Sequence, residues 1–111
     1  MSETIDYEHF SKLSMMVGTI QSAEDIPKAD KLYKIMVDLG PMIGIRQIVA
    51  GIKPSYQKES LTNKQIIVLV NLEPRKLRGF ESQGMLLAAS ADGKAVLLQP
   101  EAQVPNGTII K

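Results

Sequence analysis

The chain of 111 residues is 44% hydrophobic and 23% charged, enough for one packed core over 1–111 and too short for a second domain. No apolar run reaches the roughly 20 residues of a bilayer-spanning helix, and the acidic opening Met1-Ser2-Glu3-Thr4-Ile5-Asp6 is unlike a signal peptide, so a soluble cytoplasmic protein with no membrane partner is expected. Zero cysteines exclude disulfides and thiolate metal sites, while the net charge of +1 conceals −4 over residues 1–27 (one Lys, five acids), +6 over 28–78 (ten Lys and Arg, four acids) and −1 over 79–111 (two against three).

In chain order, polar Ser2, Thr4 and Asp6 ahead of Ile5, Phe10 and Leu13 predict a short helix over 4–13, within a leading segment 1–13 that precedes a barrel over 14–111. Residues 15–26 read as extended, with Gly18 marking a bulge or strong bend. A turn follows at 25–30. Tyr33, Ile35, Val37 and Leu39 alternate with Lys34, Met36 and Asp38, the pattern of a half-buried strand closed by Gly40-Pro41. The next strand is 43–50, ended by Gly51. Residues 54–61 form a polar insert of about one helical turn, which Asn63 is suited to end in the left-handed conformation.

Ile66-Ile67-Val68-Leu69-Val70 is a continuous apolar run, which implies a strand covered on both faces at the centre of a barrel. Residues 84–89 and 94–99 are joined through Ala91-Asp92-Gly93, where Asp-Gly favours a hairpin turn. Pro105-Asn106-Gly107 leaves only a short last strand within 104–110. Five or more short strands at close intervals predict an all-β fold: a five-stranded OB-fold Greek-key barrel, with a short N-terminal helix and a short helical insert between strands three and four. No segment between strands shows the long amphipathic pattern of a βαβ unit.

The residues argue against catalysis. Nucleophilic chemistry needs an activated Ser, Cys or Lys beside a positioned base, and the single histidine, His9, lies in the leading helix as a surface or capping residue. The acids are scattered except for Glu24-Asp25, whose side chains diverge on a strand, so neither a metal nor any other cofactor is expected. What stands out is the stretch Asn71-Leu72-Glu73-Pro74-Arg75-Lys76-Leu77-Arg78-Gly79-Phe80-Glu81-Ser82-Gln83-Gly84-Met85-Leu86-Leu87. It reads as a basic loop between two strands, with Arg75, Lys76 and Arg78 able to meet phosphates and Pro74 and Gly79 fixing its turns. Asn71, Ser82 and Gln83 add neutral donors and acceptors suited to bases or ribose. An ordinary charged hairpin remains the alternative reading of the same residues.

This stretch resembles the motif of the tRNA-binding OB domain found at the C-terminus of methionyl-tRNA synthetases, in their separate small subunits and in stand-alone structure-specific tRNA-binding proteins. Val17-Gly18-Thr19-Ile20, Pro27-Lys28-Ala29-Asp30-Lys31-Leu32-Tyr33, Arg46-Gln47-Ile48-Val49-Ala50-Gly51-Ile52 and Val104-Pro105-Asn106-Gly107-Thr108 follow the same family's order and spacing over residues 10–111. The resemblance implies a non-catalytic tRNA-binding protein, pairing as a homodimer through the N-terminal helix and C-terminal strand, with an aminoacyl-tRNA synthetase as a further candidate partner. It places Asn71, Arg75, Lys76, Arg78, Ser82 and Met85 on the RNA-facing segment, and Lys31 and Arg46 on neighbouring strands. Arg75, Lys76 and Arg78 are then expected on phosphates, Asn71 and Ser82 on sugar or base edges, and Met85 as an apolar surface. Met85 is equally suited to the core, Lys31 to pairing with Asp30 or Glu24, and Arg46 to a solvated strand position.

The chain departs from the family where many members carry an acidic residue, an aliphatic one and Arg before Val-Gly: here Ser14-Met15-Met16 precede Val17-Gly18. Aromatic residues are 5% of the chain, which disfavours extensive base stacking and favours recognition of folded tRNA by shape and phosphate. The rival reading is a peptide-binding, chaperone-like export protein of the same fold, its groove formed by Met15, Met16, Met36, Met42 and Met85. A third reading is a structural subunit of a synthetase with marginal RNA contact.

Overall fold

The computed structural model describes residues 3–111; Met1 and Ser2, the latter an expected helix starter, lie outside the described residues. The leading helix α1 is shorter than the apolar spacing suggests, covering Tyr7–Ser11. Asp6 sets its start: it is extended, and its carboxylate accepts the His9 amide at 2.9 Å, satisfying a donor the first turn leaves free.

β1 (Met15–Asp25) is the long strand around which the barrel bends. Its first half pairs antiparallel with β4 (Gln65–Leu69), from Met15 opposite Leu69 to Thr19 opposite Gln65. Its second half pairs with β2 (Tyr33–Asp38), ending with Asp25 opposite Tyr33. The bulge expected at Gly18 lies instead between Ile20 and Ser22, where the register shifts. Gly18 answers a packing demand: a Cβ there would sit 2.6 Å from a Val37 methyl and 2.7 Å from a Leu39 methyl. The glycine lets two strands meet closely across the bend.

β3 (Ile45–Ala50) continues the sheet beyond β2, and β7 (Met85–Leu86) continues it beyond β4, giving the order β3-β2-β1-β4-β7. β10 (Ile109–Ile110) adds to β1 at Met15 and Met16. The Gln83 amide donates to the Gln47 carbonyl at 2.8 Å, so β3 meets the chain entering β7 and the five strands form a nearly closed barrel, the OB-fold plan. The insert between β3 and β4 is a three-residue 3-10 turn, Lys58–Ser60, and Asn63 takes the expected left-handed φ of 73°.

Ile20, Ile35, Leu39, Ile48, Leu61 and Ile66 are fully buried in the barrel. Each contributes roughly 1.5–3 kcal/mol by leaving water, before the entropy of ordering is set against it. β4 is buried along its whole length, as its unbroken apolar run requires. Two small hairpins stand on this frame. β8 (Ala88–Ala91) and β9 (Lys94–Leu97) turn through Asp92 and Gly93, both left-handed at φ 51° and 78°, the geometry that Asp-Gly supplies. The other hairpin carries the basic segment.

Candidate nucleic-acid interface

Residues 71–83 are not an open loop: Arg75–Leu77 (β5) and Phe80–Ser82 (β6) pair antiparallel, with Arg75 opposite Ser82 and Leu77 opposite Phe80. Arg78 and Gly79 form the two-residue turn, with φ values of 53° and 85°. A primed turn of this kind matches the twist of the flanking strands, and it holds Arg78 at the tip in a conformation rare for a side-chain-bearing residue.

Alternation along the two short strands sorts their side chains. Leu77 and Phe80 face inward onto a satellite core of Ile26, Ala29 and Val49, with Leu32 beside them. Lys76 lies exposed opposite Glu81. Arg75 lines a small 70 Å³ cleft with Val49, Leu72, Ser82 and Met85, where Met85 is 46% exposed and therefore outside the core. The satellite core also fixes the 26–32 turn, so Arg78 shares a second groove with Lys28 and Lys31, two turns far apart in sequence but adjacent in space.

A polar clamp seats the hairpin on β3. The buried Ser82 hydroxyl accepts the Val49 amide at 3.0 Å and donates to the Gly84 carbonyl at 2.9 Å. Gln47 donates its amide N–H to Gln83 Oε1 at 3.0 Å and its side-chain Nε2 to the Glu81 carbonyl at 2.8 Å. The Arg46 guanidinium, expected on a solvated strand or an RNA face, donates instead to the Val70 carbonyl at 2.6 Å and lies 3.4 Å from that of Gln83. Arg46 thus bridges the end of β4 to the chain entering β7.

Asn71 likewise bonds within the protein: its Nδ2 donates to the Lys12 carbonyl at 2.6 Å and its Oδ1 accepts the Ser14 amide at 2.9 Å, tying the exit of α1 to the barrel. The structure leaves Lys31, Arg75, Lys76, Arg78 and Met85 exposed, on the β5–β6 hairpin or in the two clefts beside it. Arg46 (through Nη1), Asn71 and Ser82 make internal hydrogen bonds around them. Lys28 and Gln47 were not singled out from the sequence, although both sit in segments that carry the resemblance.

Charge pairing separates two kinds of cation. Asp25 accepts from Lys58 at 2.7 Å and lies 3.1 Å from Lys53, and Glu24 lies 3.3 Å from Lys34. The hydrogen bond from Lys58, then that from Lys53, holds the Asp25 carboxyl below its ordinary value; Asp25 in turn raises the Lys58 ammonium. Lys34 also sits 5.3 Å above the Phe80 ring, so its charge braces the hairpin from beneath. Among the described residues Lys28, Lys31, Arg75, Lys76 and Arg78 make no ion pair. A group of exposed cations outside any ion pair, with Glu73, Glu81 and Asp30 near them, still leaves an excess of positive charge suited to a polyanion.

The other surface of note is apolar. α1, the start of β1 and β10 line a 330 Å³ groove with Tyr7, Phe10, Met15, Met16, Ile109 and Ile110. The five methionines of the peptide-binding reading do not gather there: Met42 is exposed on the β2–β3 turn, and Met85 lies beside Arg75. No group of three metal-ligating side chains occurs among the described residues, and no helix among them is long and apolar enough to cross a membrane.

The family model described as "Putative tRNA binding domain" matches residues 15–109. The methionine–tRNA ligase of Thermococcus onnurineus is 48% identical over 109 residues, which is 98% of this chain and 15% of the ligase. The chain thus spans about 15% of the length of that curated relative. Among solved structures, a MetRS-related protein from Pyrococcus horikoshii superposes with a TM-score of 0.91 at 40% identity, covering 99% of this chain and 100% of that one. The chaperone CsaA from Bacillus anthracis superposes with a TM-score of 0.88 at 34% identity, covering 98% and 100%.

Proposed function

The chain belongs to the tRNA-binding domain family, and from that premise we propose that it binds folded tRNA non-catalytically, by shape and phosphate backbone. The observation that carries this reading is the set of cations Arg75, Lys76 and Arg78, without an ion pair among the described residues, on a hairpin packed against a satellite apolar core. With Lys31 beside the tip, they neutralise phosphates, and Met85 supplies an apolar contact next to Arg75. Arg46, Asn71 and Ser82 act by holding the surface in shape rather than by reaching the RNA.

Two identical barrels would double a small basic area, and we assign the pairing of a cytoplasmic homodimer to the groove between α1 and β10. Tyr7, Leu13 and Ile109 are all exposed along it, which supports an apolar contact. A tethered or docked domain of this kind raises the local tRNA concentration for an aminoacyl-tRNA synthetase, the partner suggested by the ligase relatives. A second reading, binding of unfolded peptide, draws on the chaperone CsaA neighbours.

Competition separates the two readings. Labelled tRNA bound at low salt should be displaced by unlabelled tRNA and released by added salt, while an unfolded polypeptide in excess leaves it bound. Displacement by the polypeptide, with binding indifferent to salt, would put the peptide reading first.

A further inference from the structure

The groove between the 26–32 turn and the tip of the β5–β6 hairpin is not explained by the hairpin cations alone. It encloses 370 Å³ and is lined by Lys28, Ala29, Asp30, Lys31, Leu32 and Arg78. Three cations share it with one acid, and none of the three has an ion-pair partner among the described residues. Like charges repel, so something else must hold them together. That role falls to the satellite core of Ile26, Ala29 and Val49, against which Leu32, Leu77 and Phe80 pack.

Backbone conformation singles out the same place. Among the described residues four non-glycines have positive φ: Asn63 and Asp92, whose types tolerate it, and Lys28 and Arg78, at 63° and 53°. Both cations in the left-handed region line this one groove. Backbone of this kind clusters at functional sites, and here the two cations that carry it line one concave site where cations outnumber acids three to one.

We propose that Lys28, Lys31 and Arg78 form a phosphodiester subsite for the RNA backbone, with Lys28 as a binding residue in its own right. This rests on the tRNA reading above. The two turns line one groove, so a phosphate entering it can meet donors from both. Asp30, in the same groove, offsets one of the three positive charges.

Lys28→Asn removes the charge and keeps a residue suited to positive φ, so the turn is retained. Wild type, Lys28→Asn, Lys28→Arg and a control, Lys94→Gln at the β8–β9 turn, are titrated with tRNA over a salt series. The slope of log affinity against log salt should shrink by about 0.7–0.9 in Lys28→Asn, recover in Lys28→Arg and stay unchanged in Lys94→Gln. A wild-type slope in Lys28→Asn, with tRNA bound normally, overturns the subsite and leaves the tRNA reading standing. If wild type binds no tRNA, that reading fails instead, and inorganic phosphate decides the groove. Amide shifts confined to residues 28–32 and 78–79 then keep it as an anion site, and their absence overturns it.

Discussion

Ser82→Ala is the change that most sharply separates a residue acting by position from one acting by contact. Ser82 is 6% exposed, and its hydroxyl serves two backbone groups, the Val49 N–H and the Gly84 C=O. Alanine fits the space but leaves both without their partner, and each orphaned buried group costs about 1–3 kcal/mol. Removing the buried hydroxyl also removes its own desolvation cost, so the expected net loss is about 2–4 kcal/mol. For a domain of this size that lowers the melting temperature by roughly 8–16 °C.

Urea unfolding and amide exchange measure the effect together. Val49 should lose protection first, and the hairpin amides should follow because Ser82 is one of the clamps seating β6 on β3. Affinity for tRNA should fall with the charges intact. A loss below 0.5 kcal/mol, with tRNA binding abolished, would refute this and make Ser82 a direct contact.

Further outcomes follow from the same geometry. Gly18→Ala forces a methyl against Val37 and Leu39 and within 3.0 Å of the Asp38 carbonyl, so it should cost about 3 kcal/mol in equilibrium unfolding or leave no folded protein. Arg46→Met removes the bond to the Val70 carbonyl and should destabilise by roughly 1–3 kcal/mol; a neutral result would place Arg46 outside the barrel closure. Asp25 titrates below the usual 3.8 because of Lys58 first and Lys53 second, so its ion pairing stabilises above the ordinary carboxylate range and vanishes as pH falls through the lowered value. Carboxylate NMR of Lys58→Met should show Asp25 moving back up; the stability change is small and salt-screened because the pair is solvent-exposed.

How far the sequence reveals this molecule depends on the range of the interaction involved. The buried β4 run and the Asp92-Gly93 turn are local signals, and both appear where periodicity and turn chemistry put them. The β5–β6 hairpin is only the alternative reading of its stretch, because each strand has three residues and its turn uses Arg78-Gly79 in place of Asn-Gly or Asp-Gly. Gly18 looks like a bulge residue, yet its reason lies in Val37 and Leu39 across the bend.

The cations of the interface are legible as a charge excess over residues 28–78, but their pairing is not. Glu24 engages Lys34 rather than Lys31, and the Arg46 head group turns to carbonyls 24 and 37 residues away. Asn71 and Ser82 have side chains able to contact RNA, and the fold uses them for bonds to Lys12, Ser14, Val49 and Gly84. Type and spacing identify groups able to contact RNA; only the tertiary arrangement shows which remain free.

The central claim is that the hairpin cations bind tRNA through its phosphates. It is tested most directly by titrating tRNA over a salt series with wild type and with the combined Arg75→Ala, Lys76→Ala, Arg78→Asn variant, in which asparagine keeps the turn. A steep negative slope in wild type that loses about 2–3 units in the variant is the predicted result. Wild-type affinity and slope in a folded variant would contradict the account.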